Sequence, residues 1–278
     1  MNIGLAAWGF RETHLQKQLA ITRSLELDLL ELSIAGHHND VLQLDASANK
    51  IAEVRKLFKC YGVKLSCASA GNDFTLPEKA DNLKQLESVK RVIDIAAEAG
   101  ADRLRIFAGF SPLADVSGER WKVMIDCLRQ TAEHAAAKGI MPAIETHGGV
   151  TVTESGVKHF YSTSSHPEAL SRMMSELPES MKITFDPANL YAVGIKHPEE
   201  FYLQFKDRIV YVHLKDFVPA AGSDSLRPAA CGESAMDWRA LLEAMADYDG
   251  PALIEYENVG DVEDGCRRSL QFLHTLGI

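Results

Sequence analysis

The stretch Lys182–Leu190, KITFDPANL, decides the fold of this chain, because a short apolar run ends there directly on a carboxylate. Similar runs end on an acid in AIETHGG (143–149) and ALIEYEN (252–258) and on an imidazole in IVYVHLKD (209–216). Each run has the length of a buried strand, and a stretch with helical spacing of apolar residues separates it from the next. This alternation predicts a parallel sheet with helical crossovers.

Further runs of the same kind lie upstream and complete a set of strands predicted at Ile3–Ala7, Leu27–Ser33, Val63–Ala68, Arg103–Phe107, Met141–Thr146, Lys182–Asp186, Ile209–Leu214 and Ala252–Tyr256. Helices are predicted at His14–Leu25, Ile51–Tyr61, Lys79–Ala99, Arg120–Lys138, Pro167–Glu176, Pro198–Phe205, Trp238–Ala246 and Val262–Leu276. Eight such units are the number that closes a barrel. The main alternative, an open doubly wound sheet, is disfavoured because the chain has neither GxGxxG nor a P-loop. We therefore predict an α/β fold, a single (β/α)₈ TIM barrel domain over residues 1–278.

Two long segments have no helical pattern and are predicted to be irregular. One runs from Asp216 to Met236 after the seventh strand, and the other from His147 to about His166 after the fifth. Loops of that length in a compact domain tend to be functional. Both follow the carboxyl ends of strands, so we expect them on the face where barrel enzymes have their active sites.

The composition excludes several classes of protein. The formal net charge of −10 disfavours broad binding to nucleic acid, because an acidic surface repels phosphate backbones. The five cysteines are widely spaced and never form CxxC, which favours a reducing compartment over a disulfide framework. No apolar run approaches the roughly 20 residues of a membrane span, and the first residues do not resemble a signal peptide. We expect a cytoplasmic protein without a membrane partner.

The strand ends supply a candidate metal site. Glu145, Asp186, His213 and Glu255 each follow or end one of four consecutive apolar strands. Any one of these residues could be an ordinary polar side chain at a strand end. In a parallel barrel, however, all four converge on the same mouth, where uncompensated carboxylates would be costly to bury. The mixed oxygen and nitrogen set suits one Mn²⁺, Mg²⁺ or Co²⁺ ion, with Zn²⁺ also allowed.

These residues, with the strings FDPANL, VHLKDF and IEYEN, resemble the xylose isomerase-like TIM barrels, a superfamily of sugar isomerases, epimerases and dehydratases that also includes abasic-site endonucleases. The segment CGESAMDW (231–238) is similar to the family's Gly-Glu-Gly-x-x-Asp-Trp loop, and DGCRRSLQFLHTL (264–276) is similar to its closing helix. The resemblance implies that Glu145 and Glu255 are both metal ligands and catalytic residues. It implies that they move a proton on and off the carbon beside a carbonyl. The resemblance also allows a homo-oligomer.

Four further residues are candidates for binding a carbohydrate substrate. His147 and Lys215 each lie two residues beyond a proposed ligand, and Trp8 ends the first strand, where it could form an apolar wall. A loop histidine, an ion pair at the mouth and a core tryptophan are the corresponding structural alternatives. Asn189 occupies the position where ketose 3-epimerases of the family often have a histidine. It can hydrogen-bond a hydroxyl but does not titrate, which weakens the match to those enzymes.

Two charged residues inside strands are expected to have a structural role. Arg105 lies within the fourth strand and Glu31 within the second, so both need a partner if they point into the barrel. We predict that they pair with each other rather than contact substrate.

Several functions fit these residues. The leading hypothesis is a metal-dependent isomerase or epimerase of a sugar, sugar phosphate or sugar derivative that acts through an enediolate. The nearest alternative is a lyase that dehydrates a keto-inositol or a 3-dehydroshikimate-like substrate with the same metal. An abasic-site endonuclease is disfavoured by the acidic charge and the single-metal ligand set. A non-catalytic sugar-binding protein is disfavoured because the whole quartet is present.

Overall fold

The structure is a computed structural model that describes residues 1–278. Its main sheet has eight parallel strands: β1 (Asn2–Leu5), β2 (Leu32–Ile34), β3 (Cys67–Ala70), β4 (Arg103–Ile106), β5 (Met141–Glu145), β8 (Lys182–Phe185), β9 (Ile209–Leu214) and β12 (Pro251–Ile254). Hydrogen-bonded neighbours follow the order β1, β12, β9, β8, β5, β4, β3, β2. The Leu5 amide donates to the Leu29 carbonyl at 3.0 Å and the Glu31 amide to the Leu5 carbonyl at 2.9 Å. These bonds join β1 to the segment before β2 and close the barrel, which confirms the predicted fold class.

The helices follow the strands that they connect. They are α1 (Leu15–Ser24), α2 (Ala48–Tyr61), α3 (Lys79–Ala99), α4 (Gly118–Ala137), α5 (Pro167–Glu176), α6 (Pro187–Ala192), α7 (Pro198–Phe205), α8 (Trp238–Ala244) and α9 (Val262–Thr275). The short α6 was not predicted, although its start has a recognisable pattern. Asp186 caps it by accepting from the Asn189 amide at 2.9 Å, and Pro187 occupies the first turn. No helix has both the length and the apolar character needed to cross a membrane.

Alternation along the strands divides the core into two parts. The larger apolar cluster includes Leu5, Leu30, Ala68, Val212 and Ile254 and spans strands and helices. A separate cluster consists of the residues next to these in sequence: Ala6, Leu29, Cys67, Tyr211 and Leu253. Because neighbouring strand residues point to opposite faces, the smaller cluster fills the barrel interior.

The same alternation turns the polar strand-end residues inward. Glu31, His213 and Glu255 each lie two residues beyond a member of the interior cluster, on the same side of the strand. Arg105 and Glu145 follow Leu104 and Ile144, which belong to the helix-packed core. The polar residues therefore form the next layer towards the carboxyl end of the barrel.

The two segments predicted to be irregular are irregular only in part, because each contains two strands that were not predicted. These strands are β6 (Gly149–Thr153), β7 (Gly156–Phe160), β10 (Asp216–Pro219) and β11 (Leu226–Ala229). These strands make one antiparallel four-stranded sheet in the order β10, β11, β7, β6, which we call the roof sheet. Two hairpins from different parts of the chain thus combine over the mouth of the barrel.

A buried carboxylate anchors the segment that follows the roof sheet. Asp216 Oδ2 accepts hydrogen bonds from the Gly232 amide at 3.0 Å, the Ser234 amide at 3.2 Å and Trp238 Nε1 at 3.1 Å. Gly232 has φ +87°, and a Cβ atom there would lie 2.4 Å from the Phe272 ring, so this position requires glycine. The segment resembling the family loop therefore wraps around Asp216 and packs against α9.

Candidate metal centre

The four predicted ligands come together at the mouth of the barrel. Glu145 ends β5, Asp186 follows β8, His213 lies in β9 and Glu255 follows β12. All four residues are buried, and one ligand atom from each lies within 4.8 Å of the others. This buried cluster could hold a metal ion.

The hydrogen bonding of the cluster supports a cation at its centre. His213 Nδ1 lies 3.6 Å from Glu145 Oε1 and 3.6 Å from Glu255 Oε2. Neither ring nitrogen of His213 has a hydrogen-bond partner, although both are buried. Asp186 Oδ2 makes no hydrogen bond of good geometry, and its one close cation is the Lys215 ammonium at 3.0 Å. Buried polar atoms are rarely left unpaired, so an unpaired imidazole nitrogen among three carboxylates fits a shared ion. The donor set of carboxylate oxygens and one imidazole nitrogen suits a divalent cation.

The centre has more carboxylates than permanent cations. Glu31, Glu145, Asp186 and Glu255 are all buried, while Arg105 and Lys215 are the permanently charged cations among them. Burial opposes a charge on His213, but Glu255 and Glu145 hold its pKa well above the usual value, so the metal-free ring adds a positive charge. Burial, together with the charges of Glu145 and Glu255, raises the pKa of Asp186 to about 7. A divalent cation would remove this penalty, because a nearby positive charge favours the carboxylate form.

Glu31 lies behind the histidine. His213 Nε2 is 3.5 Å from Glu31 Oε1, and Glu31 also accepts from the Tyr211 hydroxyl and from the Ala7 amide at 2.8 Å. Burial opposes ionisation of Glu31, but the bonds and charge of His213, with the charge of Arg105, lower its pKa to about 2. A carboxylate behind a histidine orients the ring for metal binding. Glu31 was predicted to pair with Arg105, and its contact with His213 was not predicted.

The predicted ion pair between Arg105 and Glu31 was wrong. Arg105 Nε lies 3.2 Å from Glu145 Oε2, and Arg105 Nη1 donates to the Ala70 carbonyl at 2.7 Å. No ion pair joins Arg105 to Glu31, because Glu31 is turned towards Tyr211 and the β1 end. Arg105 instead contacts Oε2 of Glu145, a proposed metal ligand, and also lines the cavity.

Lys215 forms ion pairs at the barrel mouth, which was the structural alternative to substrate binding for this residue. Its ammonium lies 2.7 Å from Glu255 Oε2, 2.7 Å from Glu257 Oε1 and 3.0 Å from Asp186 Oδ2. Burial opposes its charge, but these carboxylates outweigh burial and hold the pKa of Lys215 well above its usual value. Lys215 is therefore a fixed positive charge at the centre, and it also faces the cavity.

His147, Asn189 and Trp8 also face the cavity. Asn189 Nδ2 donates to Glu145 Oε1 at 3.1 Å, while its buried Oδ1 has no partner. The His147 ring packs edge-on against Phe107 and Phe110, with centroids 5.3 and 5.4 Å away. Burial lowers the pKa of His147, which favours the neutral ring.

The cavity has a volume of about 710 Å³. Its floor includes Arg105, Glu145 and Glu255 of the polar layer described above, and its walls include Phe107 and Phe110 beyond β4. The roof sheet contributes Val150, Val152, Val157, His159, Phe217 and Pro228. These roof residues lie in segments that were predicted to be irregular, although the alternation in GVTVT (149–153) is typical of a strand.

A closed barrel with an acidic and histidine cluster at its carboxyl end defines a class of (β/α)₈ proteins equipped for metal binding. The model of the xylose isomerase-like TIM barrel family matches residues 19–276. The chain belongs to that family. No curated protein sequence matches it.

Solved structures share the fold over nearly the whole chain. A D-tagatose 3-epimerase-like protein has a TM-score of 0.76 at 19% identity, covering 100% of this chain and 98% of that one. The probable 3-DHS dehydratase AsbF of Bacillus anthracis, involved in petrobactin synthesis, has a TM-score of 0.78 at 17% identity and 99% coverage of both chains. The 3-keto-D-glucoside 4-epimerase YcjR of E. coli has a TM-score of 0.75 at 19% identity, again with 99% coverage of both. At such identities the likeness shows a common fold.

Proposed function

We propose that this protein, acting as one domain over residues 1–278, is a divalent-metal-dependent isomerase or epimerase of a sugar or sugar derivative. The observation that carries the proposal is the buried quartet of Glu145, Asp186, His213 and Glu255, of which Glu145 and Glu255 line the cavity. Mn²⁺, Mg²⁺ or Co²⁺ suits these ligands best. Two of the similar structures are described as a sugar epimerase or epimerase-like protein, which supports the substrate class.

The bound ion would polarise a ketone and its neighbouring hydroxyl, so that the carbon–hydrogen bond beside the ketone becomes more acidic. In this proposal Glu145 takes that proton and Glu255, on a different strand, returns one to the other face of the planar enediolate. Return to the opposite face inverts the carbon centre. Return to the neighbouring carbon, with migration of the carbonyl, gives an isomer.

The surrounding residues hold the two carboxylates ready for this step. Asn189 and Arg105 contact the two oxygens of Glu145, and Lys215 contacts Glu255 at 2.7 Å. Asn189 Oδ1 is free to accept a bond from a substrate hydroxyl. The roof sheet and Phe107 line the cavity above these carboxylates.

A metal-dependent dehydratase is the second candidate. It needs the same proton abstraction followed by loss of a β-hydroxyl, so the same cluster supports it. The similar structure described as a probable 3-DHS dehydratase favours keeping this alternative.

Hydrogen exchange tests the proposal directly. The Mn²⁺-loaded protein is incubated in D₂O with ketoses, keto-inositols and their phosphates, and deuterium uptake is followed by NMR. We expect metal-dependent uptake that falls by about 10²- to 10⁴-fold in Glu145→Gln and in Glu255→Gln. Glu263→Gln, the same change on the outer helix α9, serves as the control and should keep the rate.

The outcomes separate the candidates. An unsaturated product that absorbs in the ultraviolet identifies a dehydratase instead of an epimerase. Absence of exchange from every compound, with Mn²⁺ demonstrably bound, contradicts enediolate chemistry on these substrate classes.

A further inference from the structure

One face of the roof sheet is turned towards the cavity. In the β6–β7 hairpin, Val152 pairs with Val157 and Val150 with His159. These four residues line the cavity, whereas the intervening Thr151 does not. Because alternate strand residues share a face, the cavity side of this hairpin is built from three valines and one histidine.

That face is apolar but not covered by the protein. The Val152 side chain is 80% exposed, Val150 is 42% exposed and Trp8, at the opposite rim, is 40% exposed. Five large hydrophobic residues of the chain are at least 40% exposed, and these three of them line the same cavity. Exposed apolar residues concentrated in one concave site mark a binding surface.

The charge distribution divides the cavity into two ends. The floor has Glu145, Lys215 and Glu255, which suit hydroxyls and a carbonyl. At the roof, burial lowers the pKa of His159 to about 4, so the ring is neutral at neutral pH. This ring packs on Phe217, with the two ring centroids 5.0 Å apart. Sugar hydroxyls against the valines would lose hydrogen bonds to water without replacement.

The size of the cavity also favours a substrate larger than a free sugar. A volume of about 710 Å³ falls in the range that encloses drug-sized ligands. A free hexose, with about a dozen non-hydrogen atoms, is roughly half as large as such ligands. A hexose held at the floor would therefore leave the space under Val150 and Val152 open.

We propose that the substrate, for the reaction inferred above, is a glycoside-like molecule that carries a ketone on its sugar ring and whose apolar group packs between Trp8 and the valine face of Val150, Val152 and Val157. This inference rests on the proposed function for the placement of the sugar end at the floor. The valine face then selects the substituent, while the floor residues act on the sugar.

Non-reacting probes test this proposal separately from turnover. The Mn²⁺-loaded protein is titrated with methyl, ethyl, propyl and butyl β-D-glucosides, with binding followed by calorimetry and by tryptophan emission. Trp121 and Trp238 are buried at 3% and 4% exposure, so Trp8 is the tryptophan that reports on the cavity. Loss of the emission change in Trp8→Phe identifies that source.

We expect affinity to rise about fourfold for each added methylene, which corresponds to about 0.8 kcal/mol. Val152→Asp should remove most of this rise and leave methyl glucoside affinity within about threefold of wild type. Thr151→Asp, the same charge on the other face of β6, is the matched control and should keep the rise. Val152→Ser, which carries no charge, should weaken it partially.

Equal affinity across the series, or no binding of any member, overturns the proposal. If Val152→Asp and Thr151→Asp reduce the rise in affinity along the series equally, the proposal is also overturned. A flat series from a protein that exchanges deuterium with ketoses would leave the proposed reaction standing. A rising series from a protein that exchanges none would instead contradict the reaction and keep the apolar subsite.

Discussion

Replacing Asp186 by Asn is expected to change stability in opposite directions with and without metal. Burial and the neighbouring Glu145 and Glu255 raise the pKa of Asp186 from 3.8 to about 7. An acid with a raised pKa stabilises the native state below its unfolded pKa, and this stabilisation is lost as pH rises through the native pKa. Ionised Asp186 is therefore a cost to the metal-free protein above pH 7, and asparagine removes that cost.

The magnitude follows from the shift and from the contacts. A shift of about 3 pKa units at 1.36 kcal/mol each sets an upper limit of ~4 kcal/mol. Lys215 lies 3.0 Å from Asp186 Oδ2 and loses this partner, so we expect a net gain of about 2 kcal/mol. The amide oxygen of asparagine still caps α6 through the Asn189 amide.

Calorimetry measures this change as a Tm shift. For a chain of 278 residues, 1 kcal/mol corresponds to about 2 °C. In EDTA at pH 8 the Asp186→Asn variant should melt about 4 °C above wild type, with a smaller difference at pH 5. With Mn²⁺ at about a thousand times its Kd, wild type should gain ~4 kcal/mol, or about 8 °C, and the variant much less.

The control is the same substitution at another helix cap. Asp237 caps α8 by accepting from the Ala240 amide at 3.1 Å and is exposed. Asp237→Asn should change Tm by less than about 1 °C in either condition. If metal-free Asp186→Asn melts below wild type at pH 8, ionised Asp186 does not destabilise the metal-free protein. A Mn²⁺ gain equal to that of wild type would show that Asp186 is not a ligand.

Three further predictions concern single residues. Glu31→Gln should weaken Mn²⁺ binding by about 10- to 100-fold, measured by titration, because His213 loses the carboxylate that orients it; unchanged affinity would contradict that role. Arg105→Met leaves the buried Glu145 carboxylate without its cation and should lower the free energy of unfolding in EDTA by about 3–5 kcal/mol, measured in urea; a loss below 1 kcal/mol would contradict the pairing. His159 has a pKa lowered from 6.5 to about 4, so its contribution to stability is present above pH 6.5 and is lost as pH falls to about 4. His159→Gln should flatten the Tm profile across that window, and an unchanged slope would exclude His159 as its source.

Much of the barrel could be predicted from the sequence because one rule governs it. Inward strand residues must alternate with helix-packed ones, so a charged residue such as Glu145 at the end of an apolar run indicates both a strand end and its direction. The predicted bounds of α3 (Lys79–Ala99) and α5 (Pro167–Glu176) match the structure. The predicted second strand, Leu27–Ser33, pairs continuously only from Leu32 to Ile34, with isolated bridges at Leu29 and Leu30.

The roof sheet was missed for two physical reasons. Its strands are half-exposed, so their apolar residues are too few to stand out among Gly, Ser and Thr. Its pairing of β7 with β11 joins Val157 to Leu226 across the barrel mouth, and local sequence carries little information about such contacts. The partner of Arg105 was wrong for a similar reason. Which inward side chains meet depends on the stagger of the closed barrel rather than on any one strand.

The roof sheet also has a consequence for how such a protein can diversify. The groups proposed to do the chemistry lie on or directly after barrel strands, whereas the valine face lies in the β6–β7 hairpin, residues 149–160, in which Val150 and Val152 are exposed. Exchanging that hairpin for one of different shape would change which molecules are admitted while the barrel keeps its ligands. Selectivity and reactivity can thus vary independently in this chain, and the hairpin is the place to begin redesigning it.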